Sequence, residues 1–255
     1  MLKFALVQFA PIFENKKASK KYIEQMLTSM QQHVDMIIFP EMTLTGFTMC
    51  SRKFAEDGSD GDSVRFFSDL AKHYSAHIFA GFIIRDGSSF YNTLGHFDPE
   101  GRLVAKYYKI HPFSFSGENK FYTAGTGPET TRIDRYRIGL AICYDLRFPE
   151  LFRMYAKKRV HLLIDIANWP QARIEHWRTL LKARSIEDQC YVIGVNRIGQ
   201  DKKNVYNGNS CVFAPFGEEI CQAGEQEGIT TGTIDLEKVI QVQHDYPFLN
   251  DMRLI

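Results

Sequence analysis

The sequence predicts an α/β fold, with mixed sheet covered by helices, and three observations predict it. Segments of strand length and helix length alternate from one end of the chain to the other, as repeated β-α-β units do. Several strand-like runs, "MIIFP" and "GLAI" among them, are apolar at consecutive rather than alternate positions, so both faces of a sheet are covered. Two turns, Asp98-Pro99-Glu100-Gly101 and Pro215-Phe216-Gly217-Glu218, separate strand-like arms and read as equivalent hairpins in two halves of one sheet system.

The elements follow in order. "KFALVQFA" is a first strand, closed by Pro11. Residues 16–33 carry Tyr22, Ile23, Met26, Leu27 and Met30 at helical spacing against a polar face. "MIIFPE" is a short buried strand ending at Glu41, and residues 62–75 read as a helix. "AHIFAGFIIRD" is a strand, and "FYNTLGHFDPEGRLVAKYY" is the first hairpin. Residues 110–130, rich in Gly, Ser, Thr and Pro, form a long loop. A strand then runs into Cys143, followed by a helix near 147–158, the strand "VHLLIDIAN", a helix near 173–189 and the strand "YVIGVNR". A second polar loop spans 199–209, "NSCVFAPFGEEICQAG" is the second hairpin, "GITTGTIDL" is a last strand, and the tail is partly helical. No linker or composition break appears, so residues 1–255 read as one domain with a tail from about 236.

Composition sets limits on function. Of 255 residues, 44% are hydrophobic and 24% charged, and the formal net charge is +1. That balance gives no general attraction to nucleic acid or to an anionic membrane. No apolar run reaches membrane-spanning length, and the N-terminal segment lacks the charged, apolar and small-residue regions of a signal peptide. The five cysteines are odd in number, irregular in spacing and without C-x-x-C, which argues against a disulfide framework or a zinc knuckle. A cytoplasmic protein with free thiols, no metal and no cofactor is the expectation.

Three positions share one grammar. Glu41 follows "MIIFP", Lys109 follows "LVAKYY", and Cys143 follows "IGLAI", so each reactive side chain stands at the end of an apolar strand. The carboxyl ends of strands are where α/β sheets bind ligands. A charge placed beside a buried run needs a partner, because desolvating it alone is costly. Taken singly, each has a plain structural reading: Glu41 as the N-cap of a following turn, Lys109 as a surface residue, Cys143 as a small core residue. The three together, with Tyr144-Asp145-Leu146-Arg147 directly after the cysteine, favour chemistry.

"FPEMTLTGF", "YYKIHPFSFSGENKFYTAG" and "GLAICYDLRFPELFR" resemble the three signature segments of the nitrilase superfamily of carbon–nitrogen hydrolases. "ANWPQARIEHWRTLLKARSIEDQCYVIGVNRIG" and "GNSCVFAPFGEEI" extend the resemblance over essentially the whole chain, nearest to the ω-amidase-like branch. The resemblance implies a four-layer α-β-β-α sandwich, homodimerisation, and a Glu–Lys–Cys triad acting on a small-molecule amide. In that triad Cys143 is the nucleophile, Glu41 the general base, and Lys109 an oxyanion donor together with the backbone N–H of Tyr144. Glu118 fits the superfamily's second glutamate, orienting Lys109 or the substrate, though it also reads as a solvated loop residue. The branch resemblance implies the distal amide of a 2-oxo dicarboxylic acid as substrate; simple amides, nitriles and carbamoyl compounds are the alternatives, as is a binding protein on the same fold.

Arg173, at a helix start, suits bidentate carboxylate binding and equally suits a surface position. Asn168 and Trp169, at a strand's carboxyl end, are expected to line the site, with plain packing the other reading of Trp169. His111 is expected to be structural. Arg147 and Glu150 are expected to form an ion pair beside the nucleophile. The helix carrying His176 and Trp177, and the helix after Cys143, resemble the family's dimer-forming helices; covering the sheet is the simpler role.

Overall fold

The computed structural model describes residues 1–58 and 60–254. Period-two alternation along the strands sorts apolar side chains into two cores. Phe4, Leu6, Met36, Ile38 and Phe79 point into one core, while Ala5, Val7, Ile37, Ile78 and Ala80, their neighbours in sequence, point into the other. The second core is closed by the apolar stripes of two helices, Ile23 and Leu27 of Lys16–Leu27 and Phe67 and Leu70 of Asp62–Tyr74. The first is closed by Ile138, Leu140, Leu162 and Ile164 of a second sheet. Helices Pro149–Lys157 and Ile174–Glu187 cover that sheet through Phe152, Tyr155, Trp177 and Leu181. The result is the expected α-β-β-α sandwich. The strands that read as buried on both faces are covered by a helix on one side and by the opposite sheet on the other.

The first sheet runs Gly228–Ile234, Leu2–Gln8, Met36–Ile38, His77–Asp86, Ser89–Phe97, Leu103–Tyr108, with Glu56–Asp57 beside the fourth. The second runs Thr130–Ile133, Tyr136–Ile142, Leu162–Ala167, Tyr191–Asn196, Cys211–Phe213, Glu219–Gln222. In each, three central parallel strands are flanked by antiparallel ones. The two hairpins recognised in the sequence occupy corresponding places, each antiparallel to the last parallel strand, but in separate sheets rather than in one. This arrangement brings the carboxyl ends of strands from both sheets to one end of the sandwich.

Two elements depart from expectation. The first helix stops at Leu27 instead of 33 because the Thr28 and Ser29 hydroxyls donate back to the carbonyls of Gln25 and Met26, and the Met30 amide turns back to Leu27. The polar segment 199–209 is not all loop. Ile198–Gln200 pairs with Val205–Asn207 around Asp201, whose carboxylate accepts the amides of Lys203 and Asn204. Among the described residues no helix is long and apolar enough to cross a membrane.

Candidate active site

Strand ends deliver the site. Glu41 lies just beyond Met36–Ile38, Lys109 just beyond Leu103–Tyr108, Cys143 just beyond Tyr136–Ile142 and Asn168 just beyond Leu162–Ala167. Glu41, Lys109 and Glu118 are essentially excluded from solvent. Lys109 Nζ sits 2.8 Å from Glu41 Oε1 and 2.9 Å from Glu118 Oε2, so one ammonium bridges two carboxylates. Each carboxylate is saturated by fixed donors. Glu41 also accepts from Asn92 Nδ2 at 2.6 Å, from the Asn168 amide at 2.9 Å and from Asn168 Nδ2 at 3.1 Å. Glu118 accepts from the same Asn92 Nδ2 at 3.0 Å and from the Phe113 amide at 2.5 Å. Asn92 thus ties the two carboxylates together, which sequence reading did not foresee.

The backbone around Glu41 is tightly fitted. Met42 has φ +47°, a conformation L-residues rarely adopt, and Gly81 lies against it. A Cβ on Gly81 would come within 2.4 Å of Met42 N and 2.9 Å of Glu41 C, so only glycine lets the two segments approach.

Cys143 is held in the same left-handed region, φ +52°, at the junction of its strand and the 3-10 turn Cys143–Arg147. Asp145 fixes that turn. Its Oδ2 accepts the Ile142 amide at 3.1 Å and the Tyr107 hydroxyl at 2.8 Å, while Oδ1 accepts the His111 amide at 2.9 Å and lies 2.8 Å from His111 Nδ1. Tyr107 and His111 flank Lys109, so one buried carboxylate binds the Cys143 turn to the Lys109 segment. His111 also stacks on Phe148, with centroids 3.8 Å apart, in the structural place expected of it.

Electrostatics follows from burial and from this net of donors. Burial pushes the Glu41 carboxyl up, but the Lys109 charge and hydrogen bonds from Lys109, Asn168 and Asn92 outweigh it, leaving Glu41 below the usual carboxylate range. Glu118 goes the other way: burial raises it, and the Glu41 charge adds to that against the pull of Lys109. For Lys109, burial favours loss of the proton, but Glu118 and Glu41 overcome it and hold the ammonium well above its ordinary range. Burial and then the Glu41 charge push the Cys143 thiol well up, with Lys109 opposing. These influences favour the thiol form of Cys143 and the carboxylate form of Glu41.

Cys143, Lys109, Phe47, Trp169, Arg147 and Arg173 line one pocket. Arg147 lies over the Trp169 ring at 4.8 Å and its Nη2 is 3.2 Å from His176 Nδ1; Arg173 lies over Phe113 at 5.8 Å. Trp169 donates its indole N–H to the Arg173 carbonyl at 2.7 Å. Asn168 and Trp169 thus reach the pocket wall, and Asn168 in addition grips Glu41. The expected ion pair between Arg147 and Glu150 is absent among the described residues, since Arg147 turns to Trp169 and His176. Asn204 and Tyr206, from the hairpin read as loop, complete the mouth. Trp177 is fully buried against its own sheet and donates to the Asn209 carbonyl, while His176 is exposed. A broader cleft against His77, Asp98, Arg132 and Lys158 lies at the opposite ends of the strands.

The other thiols are apart from this pocket. Cys190 and Cys211 are buried, Cys221 is half-buried, and Cys50 is exposed. One H-x-x-x-H spacing, His73 to His77, escaped the sequence reading, but the helix ends between them at Ser75, φ +49°, and turns them onto separate elements. Among the described residues no three His, Cys, Asp or Glu side chains are grouped to hold a metal ion.

The chain matches the sequence profile of the carbon-nitrogen hydrolase family over residues 3–244. The chain belongs to that family. It is 32% identical to a 2-oxoglutaramate amidase of Bacillus subtilis, over 94% of this chain and 92% of the relative. It is 34% identical to an omega-amidase of Yersinia enterocolitica, over 98% and 96%. Its fold superposes on a CN-hydrolase superfamily protein of Xanthomonas campestris, with an arsenic adduct in its active site, at TM-score 0.91 and 30% identity, covering 100% of this chain and 98% of that one. The nitrilase-superfamily expectation and its ω-amidase-like branch are borne out. This hydrolase is an enzyme of carbon–nitrogen bond cleavage.

Proposed function

We propose that this hydrolase releases ammonia from the distal amide of a small 2-oxo dicarboxylic acid monoamide through a thioester on Cys143. One observation carries the reading beyond the family: two guanidinium groups, Arg147 and Arg173, face the same pocket as Cys143 and Lys109. A pocket with the nucleophile at one end and two arginines elsewhere on its wall suits an amide that also bears a carboxylate. Relatives acting on 2-oxoglutaramate support the same class.

The steps follow from the groups present. Glu41 takes the thiol proton as Sγ bonds to the amide carbon, and the carbonyl oxygen becomes an oxyanion. Lys109 Nζ and the Tyr144 backbone N–H donate to that oxyanion. Glu41 returns the proton to nitrogen, the C–N bond breaks, and ammonia leaves a thioester. A water that gives its proton to Glu41 then attacks the thioester carbon, the C–S bond breaks, and Cys143 recovers its proton. Glu118 and Asn92 fix Lys109 and Glu41 throughout. Nucleophile, base and oxyanion donors all come from the chain, so the steps call for no cofactor.

The enzyme is further proposed to be a cytoplasmic homodimer, paired through Pro149–Lys157, Ile174–Glu187 and the tail from 236. The exposed apolar side chains Met154, Ile186 and Phe248 on these segments support that face, and the free thiols suit a reducing compartment. Sedimentation at micromolar concentration tests the pairing.

The deciding experiment is ammonia release from 2-oxoglutaramate and 2-oxosuccinamate, with propionamide as the amide lacking a carboxylate. Turnover of the 2-oxo acids alone, lost in Cys143→Ala, is expected. Equal turnover of propionamide overturns the carboxylate requirement, and turnover that survives in Cys143→Ala overturns the nucleophile.

A further inference from the structure

One buried titratable side chain near the site has no part in these steps. Asp165 sits in the apolar strand Leu162–Ala167 and is only 1% exposed. Its Oδ1 accepts the Cys143 amide at 2.6 Å, and its Oδ2 has no partner among the described residues. The parallel ladder between the two strands runs as far as Ile142 opposite Ile166. At Cys143 the chain turns left-handed and leaves the ladder, so its amide needs another acceptor. A side chain from the neighbouring strand supplies it, one residue before the ladder's end.

We propose that Asp165 is a positioning residue for the nucleophile: its carboxyl captures the Cys143 amide and holds the left-handed backbone that turns Sγ into the pocket. A left-handed non-glycine residue persists only where its surroundings over-determine it. Asp145 fixes the residue before Cys143, through the Ile142 amide, and Asp165 fixes Cys143 itself. The side chain serves better neutral than ionised. Burial pushes its carboxyl well up, the Cys143 amide opposes this, and Asp145 and Glu41 reinforce it while Lys109 pulls the other way. A charged carboxylate there would add to the repulsion that Glu41 already exerts on a developing thiolate. An uncharged acceptor oxygen is therefore what the position requires, and asparagine supplies one of the same shape.

The inference rests on the reading of Cys143 as nucleophile, and its test uses two variants and two readouts. Asp165→Asn keeps the acceptor; Asp165→Leu removes it at similar volume. Turnover of 2-oxoglutaramate is expected within about threefold of wild type in Asp165→Asn and reduced roughly 100-fold in kcat, with KM within about twofold, in Asp165→Leu, the scale of a nucleophile displaced by about 1 Å. The second readout needs no substrate. In 15N-cysteine-labelled protein the Cys143 amide signal, assigned by its loss in Cys143→Ala, is expected to shift in Asp165→Asn and to exchange at least tenfold faster in Asp165→Leu. Wild-type kcat in Asp165→Leu, or Asp165→Asn as impaired as Asp165→Leu, overturns the proposal. If the leucine variant does not fold, the asparagine variant decides: a Cys143 amide signal that stays in place overturns it. A wild-type enzyme inactive on 2-oxoglutaramate whose Cys143 amide still responds to Asp165→Asn sinks the substrate assignment and leaves this proposal standing.

Discussion

Replacing Lys109 by methionine keeps the length of the side chain and removes the one charge that separates Glu41 from Glu118. Both contacts are short, 2.8 and 2.9 Å, and all three side chains are at most 2% exposed, so screening is slight. Removing one partner of a buried ion pair typically costs about 3–5 kcal/mol, because a charge is left uncompensated. For a chain of this size that corresponds to a melting temperature lower by roughly 6 to 20 °C. The loss must also depend on pH, with a definite sign. In the wild type Glu41 lies below its ordinary range, so its contribution is present above that range and is lost as pH falls through the folded value. Without Lys109, burial and the Glu118 charge are left to act on Glu41 and raise it. A raised carboxyl stabilises below the ordinary range and loses that contribution as pH rises. Glu118, already raised by burial and Glu41, rises further for the same reason. The gap in melting temperature between wild type and Lys109→Met is therefore expected to be widest near pH 8 and to shrink toward pH 5. Thermal melts across that interval measure it directly. A gap that is flat, or that widens on acidification, refutes the placement of a compensating ammonium between two carboxylates.

Other perturbations reach the same site by different routes. Gly81→Ala forces a methyl against the Met42 and Glu41 backbone and is expected to lower kcat at least 100-fold and stability by about 1–3 kcal/mol, read by turnover and melting. Asp145→Ala leaves the Ile142 and His111 amides and the Tyr107 hydroxyl without their acceptor, and is expected to cost several kcal/mol, seen by denaturant unfolding; a stable variant contradicts the clamp. Arg147→Ala and Arg173→Ala are each expected to raise KM for 2-oxoglutaramate tenfold or more with a smaller effect on kcat. His176→Ala, which frees the Arg147 guanidinium, is expected to raise KM only a few-fold, checked in the same assay.

Much of the fold was legible because burial writes itself into apolar runs. The unbroken apolar character of "MIIFP" and "GLAI" is a true sign of two covered faces, yet it cannot say whether a helix or another sheet covers them; here it is one of each. The same rule placed Glu41, Lys109 and Cys143 at strand ends, since reactive polar groups stand out against such runs. Asp165 interrupts "LLIDIA" as plainly as Glu41 ends its strand, and a carboxyl in that setting also needs a partner. Asn92 gave a weaker signal, because its importance comes from two carboxylates 51 and 26 residues away in sequence. Arg147 was assigned to Glu150 by closeness in sequence, but the helix start turns the two apart and an aromatic ring and a histidine take its charge. The hairpin that brings Asn204 and Tyr206 to the pocket is polar, and backbone pairing around an Asp turn leaves no apolar pattern to read.

The most direct test of the central claim is intact-mass and peptide analysis of the enzyme quenched in acid during turnover of 2-oxoglutaramate. An acyl adduct is expected on the peptide bearing Cys143, formed at the rate of the first ammonia burst and discharged by hydroxylamine. Steady ammonia release with no adduct on any cysteine, or with the adduct on another one, contradicts it.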